Sequence, residues 1–217
     1  MMFSDAGGFT LDDIPTDEVD RQEGVRRPLA DAVRDLVDAT IRTTVPDDEV
    51  RAVQAEIEAA VARLRVSQVP GPRGIRYNGE GRSWSWGNAV VGAHNAIAPP
   101  LVIHHDPSGV ATSDVVLGAA YEGPPGLVHG GVTALLLDHL MGETASGFAK
   151  VTMTGTLTMR YRRGTPLGAL HLEGRIDREE GRKVYVVASI GDADGPTVEA
   201  DGVFIVPRWA ADLEETR

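Results

Sequence analysis

Cysteine is absent from this chain of 217 residues, and aromatic residues are scarce, at 5%. Without cysteine there can be no disulfide bond, no thiolate metal site and no thiol nucleophile. No apolar run approaches the length of a membrane span, and the first residues, Met1-Met-Phe-Ser-Asp5, lack the basic and apolar regions of a signal peptide. We therefore expect a cytoplasmic protein without a membrane partner.

Lysine is missing from the first 65 residues, and the whole chain carries a formal net charge of -11. The first 65 residues hold 15 acidic residues against 8 arginines, whereas the remainder holds 17 against 13 basic residues. Such a chain repels nucleic acid and anionic lipid, so we expect no nucleic-acid partner. A polyanionic ligand would have to find local cations in the second part of the chain.

Several catalytic motifs are also absent. There is no Gly-x-Ser-x-Gly elbow of a serine hydrolase, and no Walker or dinucleotide-binding glycine pattern. His104-His-Asp106 could suggest a metal site, but adjacent strand residues point to opposite faces and no third spaced ligand is evident. We expect neither a metal nor a cofactor.

One apolar segment combines glycines with a single carboxylate: Leu127-Val-His-Gly-Gly-Val-Thr-Ala-Leu-Leu-Leu-Asp-His-Leu-Met-Gly142. It predicts a helix over about 129–148 that is apolar almost all round and lies in a core. The glycines leave backbone N–H groups accessible at the helix start, where the macrodipole favours negative charge. Gly131 and Asp138 are about two turns apart and share a face with small residues. Asp138 is therefore either paired with a hydroxyl or an arginine, or used in chemistry.

The remaining sequence predicts three regions. Residues 1–66 form an acidic N-terminal extension, poorly ordered up to about residue 27 and then folded as an αα-hairpin of helices at 28–43 and 46–66. Residues 67–100 form an irregular linker rich in glycine and proline, and residues 101–217 form the main domain. Its strands are expected at about 101–105, 110–120, 151–163, 168–178, 183–191 and 196–206. One helix within an antiparallel strand series predicts an α+β fold with a sheet wrapped around that helix.

The strand predicted at 151–163 alternates almost perfectly. One face carries Val151, Met153, Leu157, Met159 and Tyr161, and the other carries the threonines, including Thr154, with Arg160 and Arg162. Because threonine favours strands, the pattern alone predicts a threonine ladder that faces solvent.

A series of motifs follows the order found in a known family. Tyr121-Glu-Gly-Pro-Pro-Gly-Leu-Val-His-Gly-Gly131 is followed by Asp138, Thr154, Met159-Arg-Tyr-Arg-Arg163 and Glu180-Gly-Arg-Lys183. This series, between about residues 95 and 207, resembles the hotdog-fold acyl-CoA thioesterases, and most closely their PaaI-like and "thioesterase superfamily member" branch. The resemblance implies the hotdog fold, hydrolysis of an acyl-CoA substrate to free acid and coenzyme A, and an obligate homodimer or dimer of dimers. It also implies a site at the subunit interface, with the strand residue supplied by the partner. The sequence leaves open whether Thr154 pairs with Asp138 of its own chain or of the other chain.

The resemblance also implies roles for individual residues. Asp138 would be the general base or a nucleophile that forms a mixed anhydride. The N–H of Gly130, alone or with that of Gly131, would stabilise the oxyanion, and Thr154 would hold the attacking water or the carboxylate. We interpret His129 as a positioning residue, because it lies about 180° from Asp138 around an ideal helix. Four basic residues match positions that contact coenzyme A: Arg160, Arg162, Arg182 and Lys183.

Two other functions stay open at this point. A non-catalytic acyl-CoA-binding protein could use the same groove, although binding alone has no use for Asp138. A hotdog hydratase or dehydratase would pair a histidine with an acidic residue in another sequence setting, which we do not find.

Overall fold

The computed structural model describes residues 9–147 and 150–210, and the chain divides into two compact units between Ala98 and Pro99. The first unit contains a small sheet, in the order β1-β2-β3, and two helices. Its elements are β1 (Phe9–Leu11), α1 (Thr16–Arg42), α2 (Asp47–Leu64), β2 (Ile75–Tyr77) and β3 (Ser83–Trp84). In the described residues, no helix is long and apolar enough to cross a bilayer.

Helix α1 begins at Thr16, well before Pro28, where the sequence predicts its start. The expectation of poor order before residue 28 is therefore wrong for residues 16–27, while residues 1–8 lie outside the described residues. Ion pairs along the helix partly neutralise the charges that suggested disorder, and Glu18 and Arg21 form one of them at 2.7 Å. Val19 is fully buried and ties this part of the helix to a core.

The segment 67–100, predicted as an irregular linker, contains β2 and β3 and lies in the first unit. Trp84 and Trp86 are buried in one cluster with Val19. The Trp86 ring stacks on His94 with 4.3 Å between ring centroids, and its Nε1 donates a hydrogen bond to Glu23 at 3.3 Å. The tryptophans therefore join the linker to α1.

His94 makes the stability of this cluster depend on pH. Burial, together with nearby Arg26, lowers the pKa of His94 from 6.5 to about 4. As the pH falls, His94 of the unfolded chain binds a proton before His94 of the folded chain does. The free energy of unfolding therefore has its full value above about pH 6.5 and decreases progressively towards about pH 4. We expect the urea midpoint, followed by tryptophan fluorescence, to fall between about pH 7 and about pH 5, and to fall less in His94→Phe. Equal pH dependence in the two proteins would contradict this assignment.

The second unit is a six-stranded antiparallel sheet wrapped around one long helix, in the strand order β4-β5-β7-β8-β9-β6. Its elements are β4 (His104–His105), β5 (Ala111–Leu117), α3 (Gly130–Ser146), β6 (Met153–Tyr161), β7 (Gly168–Glu180), β8 (Lys183–Asp192) and β9 (Gly195–Ile205). Fully buried side chains of α3 and the sheet form the core, among them Leu137, Leu140, Leu172, Ile190 and Phe204. The predicted α+β hotdog fold is confirmed.

A β-bulge at Gly155 changes the face on which Thr154 lies. The pairing of β6 with β9 shifts between Thr154 and Thr156, so that Thr154 lies opposite buried Phe204 and Leu157 lies opposite Gly202. Strict alternation placed Thr154 on the solvent face, and the extra residue moves it to the face that covers α3. A Cβ at position 155 would lie 2.9 Å from Ile205 Cδ1 and 3.1 Å from the carbonyl oxygen of Val203, so a larger residue would require these neighbours to shift.

Candidate active site

Asp138 and Thr154 form a hydrogen-bonded pair between α3 and β6. Thr154 Oγ1 donates to Asp138 Oδ1 at 2.8 Å. Both residues belong to the same chain, so within one chain Thr154 pairs with its own Asp138. The bulge at Gly155 turns Thr154 towards the helix of its own chain. One carboxylate oxygen is thereby fixed.

The helix face that bears Asp138 is open. Gly131 is exposed, Leu135 is 43% exposed and Asp138 is half-buried. The prediction of a helix surrounded by core is wrong for this face, because the sheet of one chain covers only the opposite side of α3. The carboxylate is therefore accessible to a ligand. The exposed Leu135 indicates that another molecule or a second chain packs on this face.

His129 is the N-cap residue of α3. Its Nδ1 accepts a hydrogen bond from the N–H of Gly131 at 3.0 Å. This bond fixes the first turn of the helix and occupies one of the two predicted oxyanion donors. The geometry fits a positioning role for His129 better than proton transfer.

Gly130 presents the other donor. In the described part of the chain, no group accepts a hydrogen bond from the Gly130 N–H, whereas its carbonyl accepts from Thr133 Oγ1 at 2.8 Å and from Tyr161 Oη at 3.0 Å. A Cβ at Gly130 would lie 3.2 Å from the Tyr161 ring, so strand β6 packs directly on the helix start. Sequence reasoning did not assign Tyr161 a role, although it lies in the Met159-Arg-Tyr-Arg-Arg163 motif.

The free N–H and the carboxylate are separated along α3. Gly130 and Asp138 are about two turns apart, which is about 12 Å of axial rise. A single thioester carbonyl cannot contact both groups of one chain, because attacking and stabilising groups must each lie about 3 Å from the reacting atoms.

Asp138 is followed by a half-buried histidine. Burial lowers the pKa of His139, against the opposing effect of the carboxylates of Glu143 and Asp138. Its Nε2 lies 3.8 Å from the carboxylate of Glu143, one turn further along the same helix face. Among the described residues there is no group of three or more side chains that could hold a metal ion.

The four predicted coenzyme A contacts separate into two pairs. Arg160 and Arg162 lie on the face of β6 that points away from α3, where Asp201 and Glu199 already bind them. Arg162 Nη2 lies 2.7 Å from Glu199. The structure does not bring this pair to Asp138, and each arginine is paired with one carboxylate.

Arg182 and Lys183 lie at the end of the sheet where Thr154 lies. Val184, next to Lys183, pairs with Phe204, which pairs with Thr154 on its other side. Two strand spacings amount to about 10 Å. Arg182 Nη1 donates to the carbonyl of Val206 at 2.9 Å, and Lys183 is exposed. Arg182 and Lys183 are therefore closer to the Asp138–Thr154 pair than Arg160 and Arg162 are.

Comparisons with known proteins agree with this architecture. The model of the thioesterase superfamily matches residues 125–199, which include Asp138 and Thr154. The acyl-coenzyme A thioesterases THEM4 of Xenopus laevis and THEM5 of Homo sapiens are 35% and 32% identical over 91 residues, 41% of this chain. Those stretches are 41% and 37% of the relatives, so the chain matches about two fifths of their length.

A solved structure matches over a longer range. The crystal structure of a thioesterase superfamily protein is 34% identical, with a TM-score of 0.74, and the match covers 82% of this chain and 94% of that protein. The chain belongs to the thioesterase superfamily.

Proposed function

We propose that this protein is an acyl-CoA thioesterase, which hydrolyses an acyl-CoA thioester to the free acid and coenzyme A. The observation that carries the proposal is the Asp138–Thr154 pair at 2.8 Å on an accessible helix face. The named activity of the THEM4 and THEM5 relatives supports it. The test is thiol release from a panel of short, medium, long and aromatic acyl-CoAs; no release from any of them would refute the activity.

Thr154 leaves one oxygen of Asp138 available for chemistry. With Oδ1 held by the hydroxyl, Oδ2 can accept a proton from a water molecule as its oxygen attacks the thioester carbonyl. The tetrahedral intermediate then collapses, the carbon–sulfur bond breaks, and the proton passes from Asp138 to the leaving thiolate. In the alternative route, Oδ2 attacks the carbonyl, the carbon–sulfur bond breaks and the thiolate leaves. Water then hydrolyses the mixed anhydride to the free acid and Asp138, and a proton of that water neutralises the thiolate. Transfer of ¹⁸O from water into Asp138 during single turnovers would identify this second route.

The oxyanion donor comes from a second copy of the chain in this proposal. The Gly130 N–H lies about 12 Å along the helix from Asp138, so Gly130 of the partner subunit supplies the donor. Two surfaces support a homodimer: the half-exposed Leu135 face of α3, and β6, which is a long strand at the edge of the sheet. The site would then contain Asp138 and Thr154 from one subunit and a helix N-terminus from the other.

Replacing Thr154 tests the orientation of the carboxylate. Thr154→Val keeps the shape but removes a hydrogen bond to a charged group, and we expect kcat to fall roughly 10- to 100-fold. Thr154→Ser keeps the hydroxyl and serves as the matched control. If the valine variant kept the kcat of the serine variant, the hydroxyl would have no part in catalysis.

Arg182 and Lys183 are the cations that we propose contact coenzyme A. On an acidic protein, a few local cations decide the affinity for its phosphates. Alanine at both positions should raise KM for an acyl-CoA roughly 10-fold, and should change KM little for a truncated thioester that lacks the nucleotide. Equal losses on both substrates would assign these residues to the fold. The same change at Arg160 and Arg162 provides a comparison for the pair that is bound to carboxylates.

A further inference from the structure

Helix α2 has an apolar stripe on which no other part of the described chain packs closely. Within the described part of the chain, no residue of α2 is buried, and only Ile57 is half-buried. The stripe recurs every three or four residues, and four of its members are 37–54% exposed: Val50, Val53, Val61 and Leu64. Isolated helices of this length are marginal in water, and packing of an apolar face supplies most of their stability. The stripe therefore needs a partner.

The charges beside the stripe are separated along the helix. The first turn carries Asp47, Asp48 and Glu49, and the basic residues near the other end are Arg63 and Arg65. At 3.6 residues per turn, Glu49 and Arg63 flank one side of the stripe, while Asp47 and Arg65 flank the other. Arg51, on the side of Asp47, adds one positive charge at the acidic end, but the three carboxylates there outweigh it. The helix is thus net acidic at one end and basic at the other, a distribution that is complementary to itself when reversed.

We propose that α2 packs antiparallel against α2 of a second copy of this chain, around a twofold axis near Ile57. In that arrangement Glu49 faces Arg63 of the partner subunit, Asp47 faces Arg65 of the partner subunit, and every contact occurs twice. The two helix dipoles oppose each other, whereas a parallel arrangement sets acid against acid. Glu56 and Glu58 lie about 100° from the middle of the stripe on its two sides, Glu56 between the angles of Glu49 and Arg63, so near the axis each carboxylate has to turn into solvent to avoid its copy in the partner subunit.

This interface is separate from the surface proposed for the thioesterase dimer. It uses α2 of the first unit, while the dimer proposed above uses α3 and β6 of the second unit. Two twofold contacts with different axes on one chain link dimers into a larger assembly. Loss of the α2 contact should reduce the mass of the assembly and leave thioester hydrolysis unchanged, because α2 holds no residue of the candidate site.

Charge reversal at the two ends of α2 tests the proposal. Asp47→Arg with Glu49→Arg makes both ends basic, and Arg63→Glu with Arg65→Glu makes both ends acidic. Each variant alone should have a smaller mass by multi-angle light scattering than the wild type, since every flanking contact becomes repulsive. An equal mixture of the two should regain the wild-type mass, because basic ends then meet acidic ends. An unchanged mass in either variant, or no recovery on mixing, would overturn the proposal.

The absence of cysteine allows a second test. Ile57→Cys introduces the only thiol of the chain beside the proposed axis, and Ala59→Cys introduces one about 160° from the stripe. A short bis-maleimide should link Ile57→Cys chains into covalent dimers and leave Ala59→Cys chains largely unlinked. Equal linking of the two variants, or none in Ile57→Cys, would show that α2 does not meet a second copy at this face.

Discussion

Asp138→Asn should lower the turnover of a good acyl-CoA substrate by at least about 10³-fold while the binding of acyl-CoA persists. The substitution keeps the size of the side chain and its acceptor oxygen for Thr154, but removes the group that accepts the proton or attacks the carbonyl. General-base catalysis alone contributes roughly 10²- to 10⁴-fold, and a nucleophile contributes at least as much. Stopped-flow or continuous thiol detection measures turnover, and calorimetry with a non-hydrolysable acyl-CoA analogue measures binding.

Two outcomes would contradict the role of Asp138. Near-normal turnover in Asp138→Asn would place the base elsewhere in the groove. Loss of binding together with loss of turnover would mean that the carboxylate supports the fold or the ligand. Asp138→Glu is a useful companion variant, because it keeps the charge but displaces the oxygens from the 2.8 Å contact with Thr154. We expect it to bind acyl-CoA and to hydrolyse it slowly.

Gly130→Pro should lower kcat by about 10²- to 10³-fold, which is the usual contribution of one oxyanion donor. Proline removes the free N–H and is tolerated at the first position of a helix. The matched control is Gly130→Ala, which keeps the N–H and adds the same Cβ against the Tyr161 ring, 3.2 Å away. The difference in kcat between the two variants therefore isolates the hydrogen bond from the steric effect. Similar kcat values would exclude the Gly130 N–H as the donor.

The elements of the second unit could be predicted from sequence because their signals are local. Alternation of apolar and polar residues located the four long strands, and the apolar segment with Asp138 located α3 within a few residues. Thr154 was identified only through the family resemblance. Its side of the strand depends on the bulge at Gly155, and the period of two residues carries no sign of a register shift except the glycine itself.

The first unit was harder to predict because its stability depends on distant contacts. Pro28 and the density of acidic residues concealed the first half of α1, whose Val19 is buried against Trp84 and Trp86 from a segment read as a linker. The openness of the α3 face was equally hidden, since an apolar sequence does not distinguish the core of one chain from the interface between two.

The most direct measurement mixes two inactive variants, Asp138→Asn and Gly130→Pro, and follows acyl-CoA hydrolysis after subunit exchange. In a mixed dimer, one of the two sites would combine Asp138 and Thr154 of one chain with the intact Gly130 N–H of the other. An equal mixture should regain about a quarter of wild-type activity, because half of the dimers are mixed and each of these holds one complete site out of two. Mixed dimers that form but show no more activity than the separate variants would contradict a site built from two chains.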